Sequence, residues 1–164
     1  MGSRSTRTLV VVLTVAILSA FPAIRADASC LRYSRSERRL ARFRNQARVN
    51  AGRTKFRLDD HLSRVAGYHT RQMVKRSLLY HTPDWRFRRR VTRWNVLGEN
   101  VGVGGSVASL HKAFMSSPSH RANVLSSTFI HFGVGTKRAG DRMWVTVVFE
   151  SVRNPGTRLS MPSC

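Results

Sequence analysis

Acidic side chains are scarce in this chain: eight aspartates and glutamates stand against 29 lysines and arginines, for a formal net charge of +21. A field of that sign draws anionic lipid, wall polymer or nucleic acid toward the surface, and salt screens it. Lysine is scarce as well, confined to Lys55, Lys75, Lys112 and Lys137. The positive charge is therefore almost all arginine, and a bias in composition accounts for it as well as a partner does. Long apolar runs are missing. The one candidate, Thr8 to Phe21, covers about 14 residues, short of the roughly 20 that carry a helix across a bilayer. Cysteine is limited to Cys30 and Cys164, which excludes a framework of several disulfides. No internal repeat or low-complexity segment appears. The H-E-x-x-H zinc signature and the G-x-S-x-G nucleophile elbow are both absent.

What is present at the start reads as a processed leader. Arg4 and Arg7 precede the apolar run, Pro22 breaks it, and Ala26-Asp27-Ala28 supplies small residues where a signal peptidase cuts. We expect residues 1–28 to be a signal peptide and residues 29–164 a single secreted domain, with a retained N-terminal anchor as the alternative. Removing residues 1–28, with their three arginines and one aspartate, leaves a net charge of +19. In an oxidising compartment Cys30 and Cys164 read as one bridge joining the ends of the domain. Closing so long a loop contributes about 4 kcal/mol in the chain-entropy picture; two unpaired surface thiols are the alternative.

Along the mature chain, Ser34 and Glu37 have the spacing of a capping box, and Leu40, Phe43 and Ala47 follow at helical intervals until Gly52. This predicts a first helix with its arginines on the wet face. After a short extended piece around Phe56 and Leu58, Asp59 or Asp60 caps a second helix whose Leu62, Ala66, His69 and Met73 share one face. His69 then points to the core or its edge. The stretch Trp85 to Trp94, "WRFRRRVTRW", shows no helical period. It reads as a solvated loop with its tryptophans against the core, or as a patch for anionic headgroups or exposed bases. From Ser106 a third helix places Val107, Leu110 and Phe114 on one face, Ser117-Pro118 ends it, and Ser119 caps a short helix to Leu125. "FGVGTKR", a turn at Ala139-Gly140-Asp141 and "MWVTVVFE" read as two antiparallel strands. Helices first and a hairpin last predict an α+β fold, helices packed on a small antiparallel sheet.

The glycines of "GENVGVGGSV" lack the strand-turn-helix setting and the following acidic residue of a dinucleotide site, so they serve as turns or close-approach points. Taken in order, "NQARVNAG", "LDDHLSRVAGYHTRQM", "YHTPD", "GENVGVG", "SSPSHRANVL", "FGVG" and "MWVTVVFE" resemble the secreted CAP superfamily of cysteine-rich secretory proteins, antigen 5 and pathogenesis-related proteins, and within it the bacterial branch. The resemblance covers about residues 40 to 150. It implies a three-layer α-β-α sandwich working outside the cell as a monomer. It also implies a cleft onto which His81, Glu99 and His120 map, with a second acid expected near Ser117 and missing here.

In that cleft His81 and His120 are the candidate ligands of a divalent metal such as zinc, an ion that accepts imidazole and carboxylate. The resemblance further implies lipid or another small hydrophobic molecule as the ligand, with anionic membrane or cell-wall polymer as a second partner and no specific nucleic acid. Two competing readings belong beside these. Glu99 accepts backbone N–H bonds and only holds its loop, with its pKa lowered. Alternatively Ser117, His120 and Glu99 act as nucleophile, base and orienter of a hydrolase, a geometry that Pro118 obstructs. For His61, His111 and His131 the sequence offers no partner.

Overall fold

A computed structural model describes residues 31–162. The expected signal segment, 1–28, and the pair Cys30 and Cys164 lie outside the described residues. The first helix, α1 (Arg35–Asn50), starts as the capping box requires: the Glu37 amide donates to Ser34 Oγ at 3.2 Å and the Ser34 amide to Glu37 Oε2 at 2.8 Å. One expectation fails here. Arg44 and Arg48 are buried with Leu40 and Ala41 rather than on the wet face. Residues 40, 44 and 48 lie one above another on a helix, so the inward stripe simply continues through arginine stems, whose methylenes pack as apolar groups.

Next comes β1 (Arg57–Leu58), then α2 (Asp60–Arg76), capped by Asp59, whose Oδ1 accepts from the Leu62 amide at 2.8 Å. Leu62, Ala66, His69 and Met73 are all buried along it. The basic stretch corrects the loop reading: Asp84–Arg90 forms α3 and Val91–Thr92 forms β2. A helix of 7 residues with only Phe87 buried has too little length to display a period. It holds through its charges, Asp84 in the first turn and Arg88 to Arg90 in the last, which complement the helix dipole. Of the two tryptophans of this stretch, Trp94 after the helix packs on the core, but Trp85 within it is 56% exposed.

The Gly-rich run is a strand, β3 (Leu97–Gly104), followed by α4 (Val107–Ser116) and α5 (Pro118–Leu125). α5 starts two residues earlier than expected, with Pro118 in its first turn and Ser117 rather than Ser119 at the cap. Proline's fixed φ and missing N–H suit that position. The tail pairs β4 (His131–Ala139) with β5 (Arg142–Glu150) around a tight turn at Gly140, and β6 (Gly156–Thr157) joins β2 in a two-stranded sheet.

The main sheet runs β1-β4-β5-β3. The hairpin and β3 are antiparallel, but β1 lies parallel to β4, so the sheet is mixed rather than purely antiparallel. Helices cover both faces, giving the α-β-α sandwich. On one side Val145, Val147 and Phe149 of β5 pack with Leu40, Leu110, Phe114 and Val124 from α1, α4 and α5. On the other, Val148 meets Leu62, Val65 and Ala66 of α2, and Trp144 meets Met73. The alternation read in "MWVTVVFE" therefore separates two buried faces, each large side chain contributing about 1.5–3 kcal/mol of transfer free energy. α2 lies flat on β4 because two positions there have no side chain. A Cβ on Gly133 would sit 2.1 Å from the backbone of Leu62, and one on Gly135 2.3 Å from that of Gly67.

Candidate functional site

β3 is an edge of the sheet, and its "GEN" triplet organises the cleft there. Successive strand residues point to opposite faces. Glu99 reaches toward the segment between α2 and α3, whereas Asn100 reaches toward α5. Glu99 is nearly buried, at 5% side-chain exposure, and its carboxylate is fully engaged. Oε2 accepts from the Thr82 amide at 2.8 Å and from His81 Nδ1 at 3.0 Å, and Oε1 accepts from Thr82 Oγ1 at 2.6 Å. Burial pushes its pKa up, but the hydrogen bonds from His81 and Thr82 outweigh this and hold it below the usual carboxylate value. His81 is 61% exposed, and its bond to Glu99 raises its pKa against a smaller effect of burial.

A buried histidine supports this segment from below. His69 Nε2 donates to the Tyr80 carbonyl at 2.8 Å, and burial lowers its pKa, which keeps the ring neutral. His69 is thus a core residue that fixes the backbone next to His81. The roles of Thr82 and Tyr80 carried no signal in the sequence beyond their place beside His81.

On the other side of the edge strand, Asn100 Nδ2 donates to the His120 carbonyl at 3.0 Å, and Asn123 Nδ2 donates to Asn100 Oδ1 at 2.9 Å. Gly98 allows the ring of Phe129 to come close; a Cβ there would meet it at 2.7 Å. His120 Nδ1 lies 2.9 Å from Ser117 Oγ, so Pro118 does not prevent that contact. Burial lowers the pKa of His120, and the charges of His81 and Arg44 lower it further, which places His81 within electrostatic reach of His120.

The sequence-predicted residues therefore fall into two pairs, Glu99 with His81 and Ser117 with His120. Glu99 makes no bond to His120 that would orient it as a base. The other histidines are structural: His61 Nδ1 meets the Pro155 carbonyl at 3.1 Å, His131 Nδ1 the Val152 carbonyl at 2.7 Å, and His111 Nδ1 accepts from Arg44 Nη1 at 2.8 Å.

For a metal the donor set is thin. Among the described residues no three His, Cys, Asp or Glu side chains form a group that could hold an ion. Two imidazoles are half of a tetrahedral shell. Glu99 acts behind His81, holding its Nδ1 and leaving Nε2 outward, the way a carboxylate orients a metal-binding histidine.

Helices on both faces of a short mixed sheet are what the sequence resemblance implied. The family model described as "Cysteine-rich secretory protein family" matches residues 42–149. The chain belongs to that family of CAP proteins.

Solved structures agree on the fold. An outer surface protein of Borrelia burgdorferi superposes with a TM-score of 0.65 at 15% identity, over 75% of this chain and 97% of that one. Venom allergen-like protein 4 of Schistosoma mansoni gives 0.61 at 13% identity, over 79% and 97%. An extracellular SCP-domain protein of Bacillus anthracis gives 0.61 at 18%, over 71% of this chain and 40% of that one. No curated protein matches the chain. Among the described residues no helix is long and apolar enough to cross a membrane.

Proposed function

We propose that this is a secreted, monomeric CAP domain that binds a lipid or another small hydrophobic molecule without transforming it. One observation carries the reading. The segment from residue 78 to 85, pinned by Glu99 and His69, presents Leu78, Leu79 and Trp85 to solvent at 56%, 44% and 56% exposure. Three large apolar side chains held out beside a polar His81–Glu99 pair form a surface that an amphiphile can cover. The arginines of α3 directly beyond them favour an acidic headgroup, whether of a membrane or of a wall polymer.

Against catalysis stands the use of Glu99. A carboxylate already accepting three hydrogen bonds, with its pKa lowered, is a poor base at neutral pH. A divalent cation such as zinc, held through the outward nitrogens of His81 and His120, is the lesser part of the reading and is expected to bind weakly, given two protein ligands.

The test is binding of a fluorescent fatty acid and a fluorescent sterol to the wild type and to Leu78→Ser/Leu79→Ser/Trp85→Ala. A loss of about tenfold or more is expected from removing three apolar contacts; wild-type affinity in the triple variant removes the proposed surface. A second reading, hydrolysis by Ser117 with His120, rests on their 2.9 Å contact. It requires turnover of a peptide or ester library that Ser117→Ala abolishes, and no turnover by the wild type ends it.

A further inference from the structure

The C-terminal end of α1 shapes a second feature that shares no residue with the Glu99 cleft. Gly52, at φ 66°, lets the chain close the helix with two bonds: its own amide donates to the Val49 carbonyl at 2.9 Å, and the Arg53 amide donates to the Arg48 carbonyl at 2.8 Å. That motif needs a left-handed residue after the cap, which glycine supplies without strain. It folds Arg53 back over the helical turn that carries Arg48.

The Arg48 side chain is itself fixed. Nε donates to the Thr54 carbonyl at 2.6 Å, and Nη1 to the carbonyls of Val124 at 2.7 Å and Ser126 at 2.8 Å. Its guanidinium lies 3.4 Å from the ring centroid of Phe56. A positive charge is thereby locked beside a cavity of about 580 Å³, which Arg53, Lys55, Arg57 and Arg153 also line. Among the described residues no acidic side chain lines it. A neighbouring hollow shares Arg57 and Arg153, adds Arg93, and contains a single carboxylate, Asp59.

Compensation of the helix dipole explains a cation at the end of α1. It does not explain Arg57 from β1 or Arg153 from beyond β5, which other parts of the chain bring to the same hollow. Like charges gathered without a counter-charge repel, and Arg53 is one of the causes, after burial, that lower the pKa of Arg48. The cavity is larger than a lone carboxylate needs. Several arginine forks around one volume match a group with many anionic oxygens, because each fork can offer two parallel N–H donors. Phe129 and Ile130 give the same cavity an apolar wall.

We propose that this cavity binds a phosphate-bearing anion, held by Arg53, Lys55, Arg57 and Arg153 above the fixed charge of Arg48. The phosphate can belong to a lipid headgroup, whose apolar part would lie on Phe129 and Ile130, or to a free phosphate compound. The site stands whether or not the His81 cleft takes a ligand.

The probes are inorganic pyrophosphate, followed by calorimetry, and phosphatidylcholine vesicles with and without phosphatidylglycerol, followed by flotation. The variants are Arg53→Gln/Arg57→Gln/Arg153→Gln and, as a control of equal charge, Lys75→Gln/Lys112→Gln/Lys137→Gln. The cavity variant is expected to bind about a hundredfold more weakly, from the loss of several charge-assisted bonds. The control is expected to lose less than about threefold, from the general field alone. Pyrophosphate should also shield Arg53, Arg57 and Arg153 of the wild type from an arginine-modifying reagent, a reading independent of how the variants fold.

Vesicle binding that needs phosphatidylglycerol and is lost in the cavity variant assigns a lipid headgroup. Pyrophosphate binding without vesicle binding assigns a free phosphate compound. Equal losses in both variants, or no binding of either probe by the wild type, overturns the proposal. His81→Ala/His120→Ala should leave the cavity's affinity unchanged, which separates failure of this site from failure of the cleft.

Discussion

Arg44 and Arg48 sit one helical turn apart on α1, both buried, and their surroundings differ sharply. Arg48 donates to three backbone carbonyls and lies on Phe56. Arg44 has one acceptor, His111 Nδ1, and lies 4.6 Å from the ring centroid of Phe114; its Nε and Nη2 have no hydrogen-bond partner. Burial lowers its pKa to about 9. The contrast shows that a buried guanidinium is stabilising when it caps carbonyls that would otherwise go unpaired. Where it only fills space, the uncompensated charge works against the packing it provides. Arg48 also joins α1 to the segment after α5, whereas Arg44 joins α1 only to α4.

The largest effect expected from this contrast is that of Arg48→Met. It fills much of the same volume but leaves the carbonyls of Thr54, Val124 and Ser126 without their donor, at about 3–5 kcal/mol in urea unfolding. A loss under about 1 kcal/mol would mean that water replaces the guanidinium and the two arginines are alike. Next in size is Gly52→Ala, about 1 kcal/mol. No atom lies within 4 Å of the added methyl, so only the strain at φ 66° is read.

The smallest change at neutral pH is expected for Arg44→Met, within about 1 kcal/mol of wild type and on the stabilising side, since an unpaired charge is removed. Its signature is a pH dependence. His111 has its pKa depressed to about 4, by burial first and by Arg44 second. The unfolded chain takes up this proton near pH 6.5 and the folded one only near 4, so His111 makes stability fall as pH drops through that window. Arg44→Met removes the second cause, and its melting temperature should fall less steeply between those limits than that of the wild type.

Much of the architecture was legible because it rests on short-range rules. The Ser34 capping box, the Asp59 cap, the apolar face of α2 and the hairpin around Gly140 are each visible within a few residues. The misread parts depend on distant contacts. Whether α3 forms turns on the single burial of Phe87 and on dipole complementation. The inward turn of Arg44 and Arg48 depends on carbonyls, rings and an imidazole supplied by the segment before β1, by α4 and by the end of α5. The strand character of "GENVGVG" needs β5 as a partner, some forty residues later. At the cleft, motif order led to His81, Glu99 and His120, and the Ser117–His120 contact was raised as a geometry. The grip of Thr82 on Glu99 is a tertiary contact between residues 17 apart in sequence, with no local pattern to announce it.

The placement of β5 has a further consequence for how the chain is made. The strand at the centre of the main sheet, flanked by β4 and β3, is the last long element in order of synthesis. Until residues 142–150 emerge, β3 has no neighbour and α2 and α4 have only a partial surface to dock on. A nascent chain built in this order cannot close its core early, because its pairings are non-local. It stays open until nearly complete, which leaves the apolar faces of α2 and α4 uncovered for most of synthesis.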